Sequence, residues 1–224
     1  MEIGSLLVVG GGIAWTIAYI DIIRVGFRDR TYGMPAAVIP LNLSWEIFYA
    51  FDGLTSLNIQ FWINVAWCLA DIVIVTTFIM YGRSEIPIHI SLFVFLAGSG
   101  LALAISFALQ AAFVAEFGVF SASFFSAFLI NVVISAQFIT MLLSRRSIRG
   151  QSLTIAVSKW IGTLMFTVIY GYLQFSILTL VLGAVICLFD LVYITLVVWT
   201  IRDGGGVLKT IYKEHTVGIT RDVD

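Results

Sequence analysis

Charge is what this chain has least of. Only 11% of its 224 residues are charged, against about a quarter in a soluble domain. That scarcity excludes a water-soluble globule and leaves no polar stretch large enough for a second domain. Proline is scarce too, with three in the chain, and no matched pair of spans is broken by Gly or Pro as transporter spans often are. There are two cysteines, Cys68 and Cys187, both inside apolar runs. They read as small packing residues, which excludes a disulfide framework or a cysteine-held metal. No basic region precedes the first apolar stretch, so the N-terminus reads as an uncleaved first span and not as a removable signal peptide. DDxxD and DxDD runs are absent, as is a phosphate-binding glycine loop before a basic residue. Nothing therefore points to ionisation of a diphosphate.

What is present is apolar and aromatic: 60% of residues are hydrophobic and 14% are Phe, Trp or Tyr. Seven apolar runs are long enough to cross a bilayer, at about 20 residues each. They are Ile3–Ile23, Ala36–Leu57, Phe61–Tyr81, Ile86–Leu109, Val114–Leu143, Leu153–Tyr172 and Ser176–Ile201. None alternates polar with apolar as barrel strands do, so each predicts a helix. The fold class is an all-α integral membrane protein, a seven-transmembrane-helix bundle over residues 1–201. A short polar tail follows at 202–224, with a hinge at Gly204-Gly205-Gly206. All 12 Lys and Arg follow or flank the first, third, fifth-to-sixth and seventh runs. By the positive-inside rule the N-terminus lies outside and the C-terminus is cytoplasmic.

Asp21 reads as interfacial, near the cytoplasmic end of the first span; deeper inside their spans lie Glu46 in PLNLSWEIFYAF of the second, Asp71 in the third and Asp190 in the seventh. At a rise of about 1.5 Å per residue each of these last three lies roughly 15 Å from the cytoplasmic face, close to the bilayer midplane. Each costs a few kcal/mol there. As packing devices they would be protonated and would pin helices together. As a set at one level they point to chemistry. Helical spacing puts Asn42, Trp45, Glu46 and Tyr49 on one face, Asn64, Trp67 and Asp71 on another, and Asp190 with Tyr193 on a third. Trp160, Thr163, Thr167, Tyr170 and Gln174 form a stripe on the sixth helix. The fifth offers Phe124, Phe128, Asn131, Ser135 and Phe138, and the first offers Trp15 and Tyr19. The cavity these faces imply has acids, amides and many π faces, and no cation.

A carboxylic acid taken out of water is cheapest in its neutral form, and a second acid nearby favours that form further. A neutral acid donates protons, and aromatic faces stabilise positive charge. With water excluded, these are the parts needed to make a carbocation and keep it from being quenched. The natural substrate is a polyene that dissolves in the bilayer.

The stretches RDRTYGMPAAVIPLNLSWEIFYAF, WCLADIVIVTTFIMYG and FDLVYI carry a resemblance. Between Arg28 and Tyr193 the chain resembles the integral-membrane terpene cyclases of fungal meroterpenoid and indole-diterpene pathways, and their bacterial relatives of the drimentine type. The N-x-x-W-E core, here Asn42, Trp45 and Glu46, is the most specific part. The resemblance implies a small seven-helix enzyme in which a Glu of the second helix and an Asp of the last start the reaction by protonation. Those positions match Glu46 and Asp190. Fungal members commonly protonate an epoxide and bacterial members a terminal alkene.

The expectation is a protonation-initiated terpene cyclase acting on a prenylated, farnesyl-type substrate that enters from the lipid. Glu46 and Asp190 form the acid centre, one donating the proton and the other tuning or reloading it. Asp71 orients the acid or relays protons. Asn42, Trp45, Tyr49, Asn64, Trp67 and Tyr193 contact substrate or stabilise the cation. No metal or organic cofactor is implied, nor a nucleic-acid partner. The resemblance to bacterial members and the short tail favour a bacterial plasma membrane over endoplasmic reticulum. The main rival is a proton-coupled transporter or channel using the same midplane acids, against which stands the lack of an internal repeat. A retinal photoreceptor needs a Schiff-base Lys in the seventh helix, where there is none; Lys159 is placed at a membrane edge of the sixth. A receptor or assembly subunit would explain the aromatics but not the co-planar acids.

Overall fold

Apolar segments in lipid must satisfy their backbone groups internally, and over its described residues this chain does so with helices. The structure, a computed structural model, describes residues 3–52, 59–86 and 88–203, and no strand occurs among them. The elements are α1 (Ile3–Arg28), α2 (Ile39–Asp52), α3 (Ile59–Tyr81), a 3-10 turn at Gly82–Glu85, α4 (Leu92–Arg145), α5 (Leu153–Phe166), a π-helical continuation at Thr167–Leu173, and α6 (Ile177–Arg202). Serine hydroxyls cap three of them: Ser91 accepts from the Val94 amide, Ser152 from Ile155 and Ser176 from Thr179. Each cap satisfies an amide left open by the first turn. Five elements are long and apolar enough to cross a membrane. The polar tail expected from residue 202 lies, beyond Asp203, outside the described residues.

The count of seven runs meets the structure differently at two places. The fourth and fifth runs form one 54-residue element, α4, with no loop between them. A straight helix of that length would span about 80 Å. Yet the two ends of α4 meet the end of α3 and the 3-10 turn that directly follows it. The Phe95 ring lies 5.1 Å from Phe78, and Arg145 Nη2 lies 3.2 Å from Glu85 Oε2. The element therefore folds back on itself, at Gly118, where φ 71° and ψ 158° leave the helical region. Residues 92–117 and 119–145 are two antiparallel halves joined by a single-residue turn. The second difference is α2, which begins at Ile39, after a turn in which Val38 N–H donates to Pro35 O at 2.9 Å. With 14 residues it is about 21 Å long, short of a hydrocarbon core of about 30 Å. The end of its expected run, 53–57, lies outside the described residues.

Gly118 carries a testable load. Its backbone conformation is one that only glycine adopts without strain, and a Cβ added there would meet nothing within 4 Å. Gly118→Ala should thus cost backbone strain alone, about 1–3 kcal/mol, read as a lowered thermal midpoint of the purified protein in detergent. An unchanged midpoint would mean the turn has another way to form.

The elements close into a ring in which α1 packs on α3 and α5, α6 on α5 and α4, and α2 on α4 and α3. One end of the ring is tied by its connections. Arg145 donates to Tyr32 O and Thr31 Oγ1 and stacks over the Tyr32 ring. Arg149 reaches Arg30 O and, at 2.6 Å, Glu85. Arg28 binds Asp29, and the Gly150 amide donates to the same carboxylate. These two, Arg28 first, hold the Asp29 carboxyl below the usual carboxylate range. The basic residues following α1 and α4 thus gather at one end of the bundle, with Arg83 at the end of α3.

Candidate active site

The face of α2 expected from its spacing is the face that looks inward. Asn42, Trp45, Glu46 and Tyr49 all line a cavity of about 720 Å³ in the middle of the ring. Asn64 and Trp67 of α3 line it as well, with Trp15 and Tyr19 of α1. The second half of α4 adds Phe120, Ser123, Phe124, Phe128 and Asn131, and α5 with its π-helical extension adds Thr163, Phe166 and Tyr170. The π-helical turn shifts the register of the stripe and sets Tyr170 flat against Phe124, at 5.0 Å between ring centres. Such single turns of π-helix recur at functional sites. Tyr19 and Trp67 stack at 6.0 Å, and Trp45 packs on Tyr49 at 4.9 Å. The indole N–H of Trp45 donates to Ser123 O and that of Trp67 to Thr16 Oγ1. Each indole is thereby fixed in orientation.

Glu46 is 3% exposed and Asp71 2%. A short chain of hydrogen bonds joins them. Tyr19 O–H donates to Glu46 Oε1 at 3.3 Å. The Asn42 amide donates to Tyr19 Oη at 2.5 Å and to Asp71 Oδ2 at 2.8 Å. The other carboxyl oxygen, Glu46 Oε2, is buried and has no hydrogen-bond partner. Asp71 stands behind Asn42 and does not line the cavity. No cation takes part in this chain, so no counter-ion obliges Glu46 to be charged.

Two sequence expectations separate here from what the structure places. Asp190 does not join Glu46. It is fully buried, and its Oδ1 binds Lys159 Nζ, which also donates to Ser135 Oγ at 2.7 Å. Lys159 is not at a membrane edge: it is 1% exposed. Its four-carbon stem carries the ammonium inward to Asp190, where the low dielectric favours pairing. Tyr193 does share a face with Asp190, but it packs on Phe138 at 5.2 Å and donates to Gln151 Oε1 at 2.9 Å. Neither lines the cavity, to which α6 contributes no residue. Of the stripe on α5, Thr163 and Tyr170 reach the cavity, whereas the Trp160 indole donates to Cys187 Sγ. Cys68 and Cys187 are both free. Reasoning from sequence missed the donor role of Tyr19 and the walls formed by Phe61, Phe120 and Phe166. A stacking signal existed for Tyr19, four residues after Trp15.

A buried acid with one lone oxygen, among aromatic faces and fixed indoles, can give up a proton to a guest and steady the cation that results. Comparison with known proteins gives a family. The profile of the Pyr4-like transmembrane terpene cyclases matches residues 1–203. Asnovolin H synthase nvfL of Aspergillus novofumigatus is 34% identical over 167 residues, covering 70% of this chain and 65% of its own length. Terpene cyclase penB of Penicillium crustosum is 30% identical over 169 residues, covering 72% and 67%. The Pyr4-family terpene cyclase mfmH of Annulohypoxylon moriforme is 27% identical over 178 residues, covering 76% and 71%. The matched region thus spans about two thirds of these relatives' lengths. All three are fungal and lend no weight to the expectation of a bacterial plasma membrane. No solved structure matches the chain.

Proposed function

Since the chain belongs to the Pyr4-like transmembrane terpene cyclases, we propose that it protonates a terminal alkene or epoxide of a prenylated substrate and guides the cation through ring closure. One observation carries the reading: Glu46 is buried at the wall of an aromatic cavity with Oε1 taken by Tyr19 and Oε2 unpartnered. Because Oε1 accepts the Tyr19 hydrogen, the acidic proton sits on Oε2, the oxygen with nothing else to bind. That proton passes to the substrate. The positive charge then migrates under the faces of Trp45, Tyr49 and Trp67. The last cation returns a proton, so the product is an isomer of the substrate. Asn42 carries no transferable proton, so Asp71 acts by orienting Asn42, and Asn42 in turn steadies Tyr19. Asp190 acts at a distance, through Lys159 and Ser135, by holding α4, α5 and α6 around the cavity.

The volume suits a substrate of this kind, since ligand cavities run to roughly 300–1,000 Å³. The seven helical segments, counting α4 as two, form one transmembrane bundle in which α2 is shorter than the hydrocarbon core over its described residues, with the N-terminus outside and the C-terminus cytoplasmic. Support comes from the hairpin at Gly118 and from the basic residues gathered at one end. A proton-coupled transporter is not favoured, because the family and the similar proteins are terpene cyclases.

The test is isotopic. Membranes containing the protein are incubated in deuterated water with farnesylated aromatic compounds. The expected product is a cyclic isomer carrying one solvent deuteron. A cyclic product without solvent deuterium would remove protonation as the trigger.

A further inference from the structure

The geometry points to a second, polar subsite in the same cavity, formed by Asn131 of α4 and Thr163 of α5, that binds an O–H or N–H on the aromatic head of the substrate. That the ligand is a prenylated aromatic rests on the cyclase reading; that the two side chains form a binding site does not.

Thr163 is 3% exposed and its hydroxyl has no hydrogen-bond partner. This is unusual within the bundle. Helical Ser and Thr residues commonly turn the hydroxyl onto the carbonyl one turn back. Thr16, Ser106, Ser126 and Thr140 all do so here. Thr163 does not, although its own carbonyl accepts from Thr167. Thr163 lines the cavity, and no group of the described residues takes up its hydroxyl. Asn131 lines the same cavity, and its Oδ1 is buried and unpartnered.

The two residues are at one level. Ser135 and Lys159 are hydrogen-bonded between α4 and α5. Asn131 and Thr163 each lie four residues on from that contact, about one turn, in the direction away from the loop that joins the two helices. Glu46 stands on α2, which in the ring packs against α3 and α4 and not α5. The cavity thus has an acid on α2 and neutral polar groups on α4 and α5.

Reactivity decides what the pair binds. A free carbonyl or hydroxyl oxygen beside a migrating carbocation would capture it, so these lone pairs must be engaged while the reaction runs. An amide oxygen only accepts, so the group that meets Asn131 is a donor. The Thr163 hydroxyl can accept from that group or donate to it. A phenolic hydroxyl satisfies both, donating to Asn131 and accepting from Thr163; an indole-type N–H, which only donates, satisfies one of the two, and a prenyl chain satisfies neither. The head is therefore anchored at this pair and the reactive end is left to reach Glu46.

The probes are a farnesylated phenol and its methyl ether, added to the purified full chain in detergent. Binding is read from quenching of the cavity tryptophans Trp15, Trp45 and Trp67, and needs no turnover. The phenol should bind about tenfold more tightly than the ether. Thr163→Val and Asn131→Leu should each abolish most of that preference, and Thr163→Ser should keep it. If Thr163→Val does not fold, Asn131→Leu carries the test alone. Equal binding of the two probes, binding of neither, or a preference that survives both substitutions would overturn the subsite. Preference without any cyclised product would leave the subsite standing and remove the cyclase reading, and product without preference would do the reverse.

Discussion

Glu46→Gln should give a folded, inserted protein that binds prenylated substrate and makes no cyclised product. The substitution is nearly isosteric, and both side chains are neutral when the acid holds its proton. The glutamine carbonyl can still accept the Tyr19 hydrogen now taken by Oε1. The NH₂ group replaces Oε2, which has no partner to lose. What disappears is the acidic proton alone. A positioned general acid contributes about 10²–10⁴-fold. An alkene is a poor base, so the loss should fall near the upper end of that range, below the detection of most product assays. The measurement pairs mass spectrometry of products with tryptophan quenching by substrate. Full binding with no product is the expected result. Turnover within tenfold of the unaltered protein would take the acid role away from Glu46. An epoxide, being more basic than an alkene, should show the smaller loss of the two.

The part of this site that was legible in the sequence is the part governed by helix periodicity. Asn42, Trp45, Glu46 and Tyr49 recur at the spacing of one helical face, and that face lines the cavity. Asn64 and Trp67 were legible for the same reason. What periodicity cannot supply is the angle at which a helix faces its neighbours. Glu46, Asp71 and Asp190 share a depth, and depth follows from counting residues. Whether acids at one depth meet depends on rotation about three separate axes. Asp71 is rotated toward Asn42 and Asp190 toward Lys159. Lys159 was misplaced because its Cα depth says little about where a long side chain takes its ammonium. The hairpin within α4 was hidden for another reason. A reversal made by the dihedrals of one glycine needs no loop, and its immediate neighbours, Phe117 and Val119, are apolar, so that Glu116 is the one charge that marks it.

Asp190→Asn should also abolish product, but through the fold. Among the described residues the carboxylate is the only acid partner of a buried ammonium. Lys159's remaining bond, to Ser135, is to a neutral oxygen. Removing one member of a buried ion pair costs about 3–5 kcal/mol, because the other charge is left uncompensated. That is a large fraction of the stability of a small protein. The loss would fall where α4, α5 and α6 meet, and hence on the walls that carry Asn131 and Thr163. The expected signs are aggregation on extraction and a much lower thermal midpoint. Adding Lys159→Met removes the orphaned charge and fills the space with an unbranched apolar chain. The double variant should regain a monodisperse, thermally stable bundle, and product formation should return with it. That recovery separates two roles for Asp190 which the single substitution cannot tell apart. A double variant that folds, binds substrate and still makes nothing would return Asp190 to the acid centre beside Glu46.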